Sequence, residues 1–232
     1  MKIEDETIHS IQPFSFKSIS ELEKPSAIIL SGGLSKRFGE DKCLVSLLGR
    51  PLIMHVYEKI SSITNKVIIV LNLPSQFNQY ANFFREDQLI FDEFPENSPL
   101  IGAYTGFKHL TSDYTYLLPC DTPLITTRSL LLLKETSSSA DAVIPRHSNG
   151  YIEPMQALYN TKNARKASQK AISMGYLDLR SMINLLDNVI YLPTKKIKKF
   201  DPNLLTFFNI NTKRDLVECE KLLGTLNSND LS

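Results

Sequence analysis

Ser26-Ala-Ile-Ile-Leu-Ser-Gly-Gly-Leu-Ser-Lys-Arg-Phe-Gly-Glu-Asp-Lys42 passes without a break from an apolar segment into a charged glycine loop. Residues 26–30 have the length and composition of a buried strand, and Ser31, Gly32 and Gly33 end it. Glycines let a backbone approach a ligand and aim its N–H groups at phosphate oxygens. Lys36, Arg37 and Lys42 add a point charge, a planar fork and a second point charge, all suited to oxyanions. The spacing is neither that of a Walker loop nor that of GxGxxG. On glycine and charge alone, a flexible turn with solvated cations reads the same way.

Outward from this loop, apolar strands alternate with helical periodicity. Pro51 to Ile63 is spaced as a helix, with Pro51 suited to its first turn. Lys66 to Leu71 is apolar on both faces, as central parallel strands are. A helix over Pro74 to Phe84, a short strand over Gln88 to Phe91 and a helix over Leu100 to Leu110 follow. Tyr114 to Leu118 is a strand, Thr126 to Glu135 a helix capped by threonine, and Asp141 to Ile144 a strand. Later segments are less regular: a strand over Met155 to Tyr159, helices over Lys162 to Met174 and Leu179 to Leu186, and a strand over Val189 to Leu192. A strand end over Phe207 to Ile210 leads to a last helix from Thr212 to Leu223. This alternation predicts one α/β domain with a mostly parallel sheet and right-handed crossovers. The expected organisation is an appendage over residues 1–24, the domain over 25–224 and a tail over 225–232.

Composition sets limits. The chain has 232 residues, 42% of them hydrophobic, enough for a substantial core. Lys and Arg number 26 against 25 Asp and Glu, for a formal charge of +1, so no global attraction to nucleic acid or acidic membrane is expected. A phosphate ligand must then be held by a local cluster. No signal peptide or apolar run of about 18 residues is present, and a cytoplasmic location is expected. The three cysteines, Cys43, Cys120 and Cys219, are odd in number and widely spaced. That argues against a disulfide framework and a zinc site, with Cys120 read as a small buried residue at a strand end.

Two more places fall at predicted carboxyl ends of strands, where ligands bind in open α/β sheets. Asp121, in Leu117-Leu-Pro-Cys-Asp-Thr-Pro123, sits on a stiff turn and could take Mg2+; equally, it could cap a helix or close an Asx turn. Asn209 and Asn211, in Phe207-Phe-Asn-Ile-Asn-Thr212, alternate so that both could share one face, while Thr212 caps the last helix. The segment from Asp92 to Gly106 starts a helix among prolines and glycines, fit for anion binding or close packing. Lys195, Lys196, Lys198 and Lys199 read as a solvated surface that could also meet a phosphorylated acceptor.

Residues 30–42, Ser98-Pro-Leu-Ile-Gly102, Pro119-Cys-Asp-Thr-Pro123 and Phe208-Asn-Ile-Asn-Thr212 together resemble the molybdenum cofactor guanylyltransferases, MobA-like nucleotidyltransferases, over about Ser26 to Leu223. The resemblance implies a Rossmann-like three-layer nucleotidyltransferase fold. It also implies a Mg2+-dependent enzyme that moves GMP from GTP to the terminal phosphate of molybdopterin or molybdenum cofactor, releasing pyrophosphate. By that resemblance Leu30, Ser31 and Gly32 would meet the guanine and ribose, and Gly33, Asn72 and Asp92 the nucleotide. Arg37 and Lys42 would hold the triphosphate, Asp121 the Mg2+, and Asn209 and Asn211 the acceptor side; Arg37, Lys42 and Asp121 would be catalytic. Cofactor-biosynthesis proteins and molybdoenzymes enter as candidate partners, nucleic acid and membrane do not. The paired Gly32 and Gly33 fit the guanine-using branch over the cytidine-using one. Ser31, Phe38 and Ser98 stand where relatives usually have Ala, Met and Gly. A sugar phosphate, phospholactate, or molybdopterin with CTP are alternative substrates, and a non-catalytic nucleotide binder is the reading from another class.

Overall fold

The computed structural model describes residues 24–31, 41–92, 94 and 98–229. β1 (Ser26–Ser31) is buried along its whole length. A 3-10 turn over Lys42–Leu44 and a small antiparallel ribbon, β2 (Ser46–Leu47) with β3 (Arg50–Pro51), lead into α1 (Leu52–Ser61). β4 (Lys66–Leu71), the one-turn α2 (Phe77–Tyr80), β5 (Leu89–Phe91), α3 (Pro99–Lys108) and β6 (Tyr114–Pro119) complete the first half. The second half comprises α4 (Thr127–Thr136), β7 (Ala142–Arg146), β8 (Ala157–Asn160), α5 (Thr161–Ser173), α6 (Leu179–Ile183), β9 (Val189–Pro193) and α7 (Lys213–Asn229).

Seven strands form one sheet in the order β5-β4-β1-β6-β8-β7-β9. β1 pairs in parallel with β4 and β6, β4 with β5, and β7 with β9, while β8 runs antiparallel to both neighbours. Six strands therefore end at one edge of the sheet. Alternate β1 residues serve opposite faces: Ala27 and Ile29 pack in the cluster that includes Ile53 and Leu130 of α1 and α4, and Ile28 and Leu30 in the one that includes Leu100, Ala164 and Met182 of α3, α5 and α6. This is the three-layer α/β arrangement expected, with apolar residues on both faces of the central strands. No helix among the described residues is long and apolar enough to cross a membrane.

Several local expectations hold. The Thr126 side chain accepts from Ser129 N, capping α4, and Thr212 Oγ1 accepts from Asp215 N at the start of α7. Two do not. Pro74 to Phe84 is not one helix: a 3-10 turn over Pro74–Gln76 precedes the single turn of α2. The Gln76 side chain accepts from the N–H groups of Asn72 and Leu73, so side-chain capping competes with a continuous helix there. Phe207 to Ile210 is not a strand either. A 3-10 turn over Leu205–Phe207 and an irregular segment replace it, because the Asp201 carboxylate ties down the N–H groups of Leu205 and Thr206.

α3 lies close on the sheet at Gly106, where a Cβ would stand 2.6–2.9 Å from three side-chain atoms of Ile28. Ile28 is fully buried and has no room to swing away. Gly106→Ala should therefore destabilise the fold by about 2 kcal/mol through overpacking, read as a lower urea midpoint at unchanged slope.

Candidate active site

β1 and β6 are neighbours, so the loop leaving β1 and the turn leaving β6 emerge side by side. Lys42, on the 3-10 turn, and Asp121, two residues past β6, meet there: Nζ lies 2.5 Å from Asp121 Oδ2. The same ammonium donates to Asn211 Oδ1 at 2.8 Å. Two of its three N–H donors are thus engaged by described residues. The lysine and aspartate side chains are 11% and 18% exposed, so the pair is largely shielded from bulk water by the described residues.

Each member is held from behind. Asp41 accepts from Cys43 N at 3.0 Å, from Gln76 Nε2 at 2.6 Å and from the Tyr80 hydroxyl at 3.1 Å, fixing the turn that carries Lys42 against the segment after β4. The Asp121 carbonyl accepts from Ile210 N at 2.9 Å. Lys59 Nζ donates to the Pro123 carbonyl at 2.9 Å, bracing the turn beyond it. Asp215 accepts from the N–H groups of Asn211 and Thr212, fixing the Asn211 backbone. Asp41, Gln76 and Asp215 were not singled out from the sequence. Asp41 lies inside the loop motif, but its side-chain partners Gln76 and Tyr80 are far away in the chain.

A covalent link runs beside this contact. Cys43 and Cys120, each next in sequence to Lys42 or Asp121, form a disulfide across 77 residues. The expectation that the cysteines would stay unpaired is corrected here. Spacing carries no sign of this pair, because only the adjacency of β1 and β6 brings the two residues together. Cys120 is buried past the strand end, as expected, and Cys219 is the free, buried cysteine among the described residues.

Leu30, next to last in β1, lies beneath α3, its Cδ2 3.0 Å from where a Gly102 Cβ would be, and the Asp92 carboxylate lies 3.6–3.8 Å from the same point. Gly102 thus lets the helix start sit against both. The Ser31 hydroxyl donates to the Val70 carbonyl inside the sheet, so its proton is used structurally. Asn72 follows β4, and Asp92 follows β5 with its N–H donated to the Leu71 carbonyl. Ser98 is the N-cap of α3: it accepts from Ile101 N in an extended backbone that any residue adopts. Asn209 is exposed and its amide donates to the Phe207 carbonyl; it is not within the Lys42 contact, whereas Asn211 is. Gly32, Gly33, Lys36 and Arg37 lie outside the described residues.

Along the same sheet edge, Arg146, His147, Thr194, Lys195 and Lys198 line a cavity of about 800 Å3 at the ends of β7 and β9. His147 Nε2 lies 2.9 Å from Glu153 Oε1, and its ring meets Phe207 edge-on at 5.3 Å between centroids. Two smaller cavities open at the opposite edge, and none of the motif residues lines them.

A divalent cation is testable against this geometry. Asp121 Oδ1 is buried without a hydrogen-bond partner among the described residues. No cluster of three or more His, Cys, Asp and Glu that could hold a metal is found among the described residues. Mg2+ asks for one or two carboxylates and completes its shell with water and phosphate oxygens, so Asp121 fits that ion.

Residues 27–189 match the family model described as the MobA-like NTP transferase domain. A probable molybdenum cofactor guanylyltransferase of Natranaerobius thermophilus is 31% identical over 86% of this chain and 96% of its own. One of Bacillus cereus is 30% identical over 88% and 99%. Among solved structures, the molybdopterin-guanine dinucleotide biosynthesis protein A of Archaeoglobus fulgidus superposes with a TM-score of 0.72 at 29% identity, over 86% of this chain and 99% of that one.

Burial pushes the Asp92 carboxyl up to about 6, against the opposing hydrogen bond with Thr105. Between about pH 4 and pH 6 the folded chain therefore binds a proton that the unfolded chain has released. This contribution to stability is whole below that window and falls as pH rises through it. Asp92→Asn should raise the unfolding free energy at pH 7 by about 1 kcal/mol, discounted for the group's partial exposure, and leave it unchanged near pH 4. Urea titrations at the two pH values measure the difference.

Proposed function

The chain belongs to the MobA-like NTP transferase domain family, and on that premise we propose that it transfers GMP from GTP to the terminal phosphate of molybdopterin or molybdenum cofactor, in the cytoplasm. The observation that carries this reading is the meeting of Lys42, Asp121 and Asn211 at the carboxyl edge of the sheet. A cation, a carboxylate with one oxygen unclaimed among the described residues and a neutral amide are the parts a triphosphate with a divalent ion requires.

In this proposal Lys42 gives its remaining N–H to a phosphate oxygen, and Asn211 keeps the ammonium aimed there. Arg37 adds a second cation on the strength of its motif position. Asp121 would hold Mg2+ through Oδ1, and the ion would supply charge neutralisation on the phosphates when bound. By their motif positions Leu30, Ser31 and Gly32 would meet the guanine and ribose, and Gly33 and Asn72 the nucleotide. Asp92 accepts from the guanine N–H groups, a role that needs its ionised form. The acceptor enters from the side of Asn209, with the Arg146–Lys198 cavity beyond it suited to an anionic ligand. An oxygen of the acceptor phosphate attacks the α-phosphorus, and the bond to pyrophosphate breaks. The nucleophile is already anionic, so no protein base is invoked, and catalysis reduces to in-line placement and charge compensation.

Pyrophosphate release tests the reading, with GTP, CTP, ATP and UTP each offered with Mg2+ and molybdopterin. Activity with GTP and molybdopterin is expected; turnover confined to CTP or to a sugar phosphate would overturn it. Lys42→Ala and Asp121→Asn should each lower kcat/KM by about 10²-fold or more. The double variant should lose less than the product of the two, because the residues act as a unit.

A further inference from the structure

Each charged partner in the site is next in sequence to a cysteine, and those cysteines are bonded to one another. A covalent and an ionic cross-link therefore run in parallel between the same two segments, offset by one residue. The proposed transfer chemistry uses the ionic link and leaves the covalent one without a task. We propose that Cys43 and Cys120 are a redox-modification site that exchanges with a low-molecular-weight thiol–disulfide couple. In the bonded state these positioning residues keep Lys42 and Asp121 in register for nucleotide; the inference rests on the nucleotide reading of that site.

The exchange balances without a further reactant. One protein disulfide and two small thiols give two cysteine thiols and one small disulfide. Two electrons pass to the protein sulfurs, and the two protons from the small thiols end on Cys43 and Cys120. Reduction replaces a bond with a non-bonded contact, so the two sulfurs move apart, and Lys42 and Asp121 are the residues next to the break. The turn has little freedom to absorb that movement elsewhere, because Asp41 is tied to Gln76 and Tyr80 and the Asp121 carbonyl to Ile210. A misplacement of about 1 Å at a reacting centre costs about 10²-fold in rate.

Burial sets the access. Cys43 and Cys120 are 1% and 4% exposed, so a small thiol reaches the bond only when the Lys42–Leu44 turn opens locally. A ligand spanning Lys42 and Asp121 holds that turn shut and shields the disulfide. Cys219 is no competitor: it is packed with Leu52 and Ile210, and burial pushes its thiol up to about 11.

The test uses the full chain, equilibrated with dithiothreitol or with oxidised glutathione and counted for thiols after denaturation. One thiol is expected in the oxidised chain and three in the reduced chain, with GTP and Mg2+ slowing the reduction severalfold. Reduction should lower GTP affinity in equilibrium dialysis and lower kcat/KM for GTP by at least about tenfold, reversibly. Cys43→Ala should lose the redox dependence, and Cys219→Ser should keep it. Three thiols under both conditions, or equal GTP affinity in both states, would overturn the proposal. Thiol counts and GTP binding need no acceptor. A chain that binds GTP but releases no pyrophosphate in either state refutes guanylyl transfer and leaves this inference standing on its own measurements.

Discussion

A lysine and an aspartate 79 positions apart, touching at the edge of a parallel sheet, are the contact to which the remaining parts of the site are fitted. Partly buried ion pairs of this kind do little for stability, because desolvation offsets most of the attraction. Their value here lies in arrangement. The two charges are held in a shielded place, already oriented, before any phosphate arrives. On the proposed reading, a ligand that brings anionic oxygens and a divalent cation would satisfy both partners at once, leaving the protein little reorganisation to do.

The supports around that contact come from four directions. Asp41 ties it to the segment after β4, the disulfide ties it to β6, Asp215 fixes Asn211 and Lys59 braces the turn beyond Asp121. Three of these supports are ordinary polar contacts and the fourth is covalent. Asp92 shows the opposite bargain, a carboxyl half-buried beside the start of α3 at a cost to the fold, the kind of liability that functional positions retain.

Much of this was legible in the chain. β1 and β6 are recognisable from apolar runs, Asp121 from its place just past β6, and Lys42 as a charge in the glycine loop motif that follows β1. The cap of α4 by Thr126 was equally readable, being a matter of four adjacent residues. What escaped was non-local. Cys43 meets Cys120 only because β1 and β6 are neighbours, and Asp41 finds Gln76 only after β4 is placed alongside β1. The Phe207–Ile210 stretch misled for the converse reason: its apolar alternation resembles a strand, but Asp201 captures the backbone donors just ahead of it. Asn211 nevertheless reached Lys42, since the register that matters is set by Ile210 on the Asp121 carbonyl.

That last tie has a consequence for biosynthesis. Chains emerge from the ribosome amino-terminus first, and the segments that carry the lysine and the aspartate leave long before the asparagine that steadies the lysine. The sheet can close while the cradle is still missing one wall. The steadying of Lys42 is then acquired as a late event, coupled to the docking of α7, whose Asp215 fixes the Asn211 backbone.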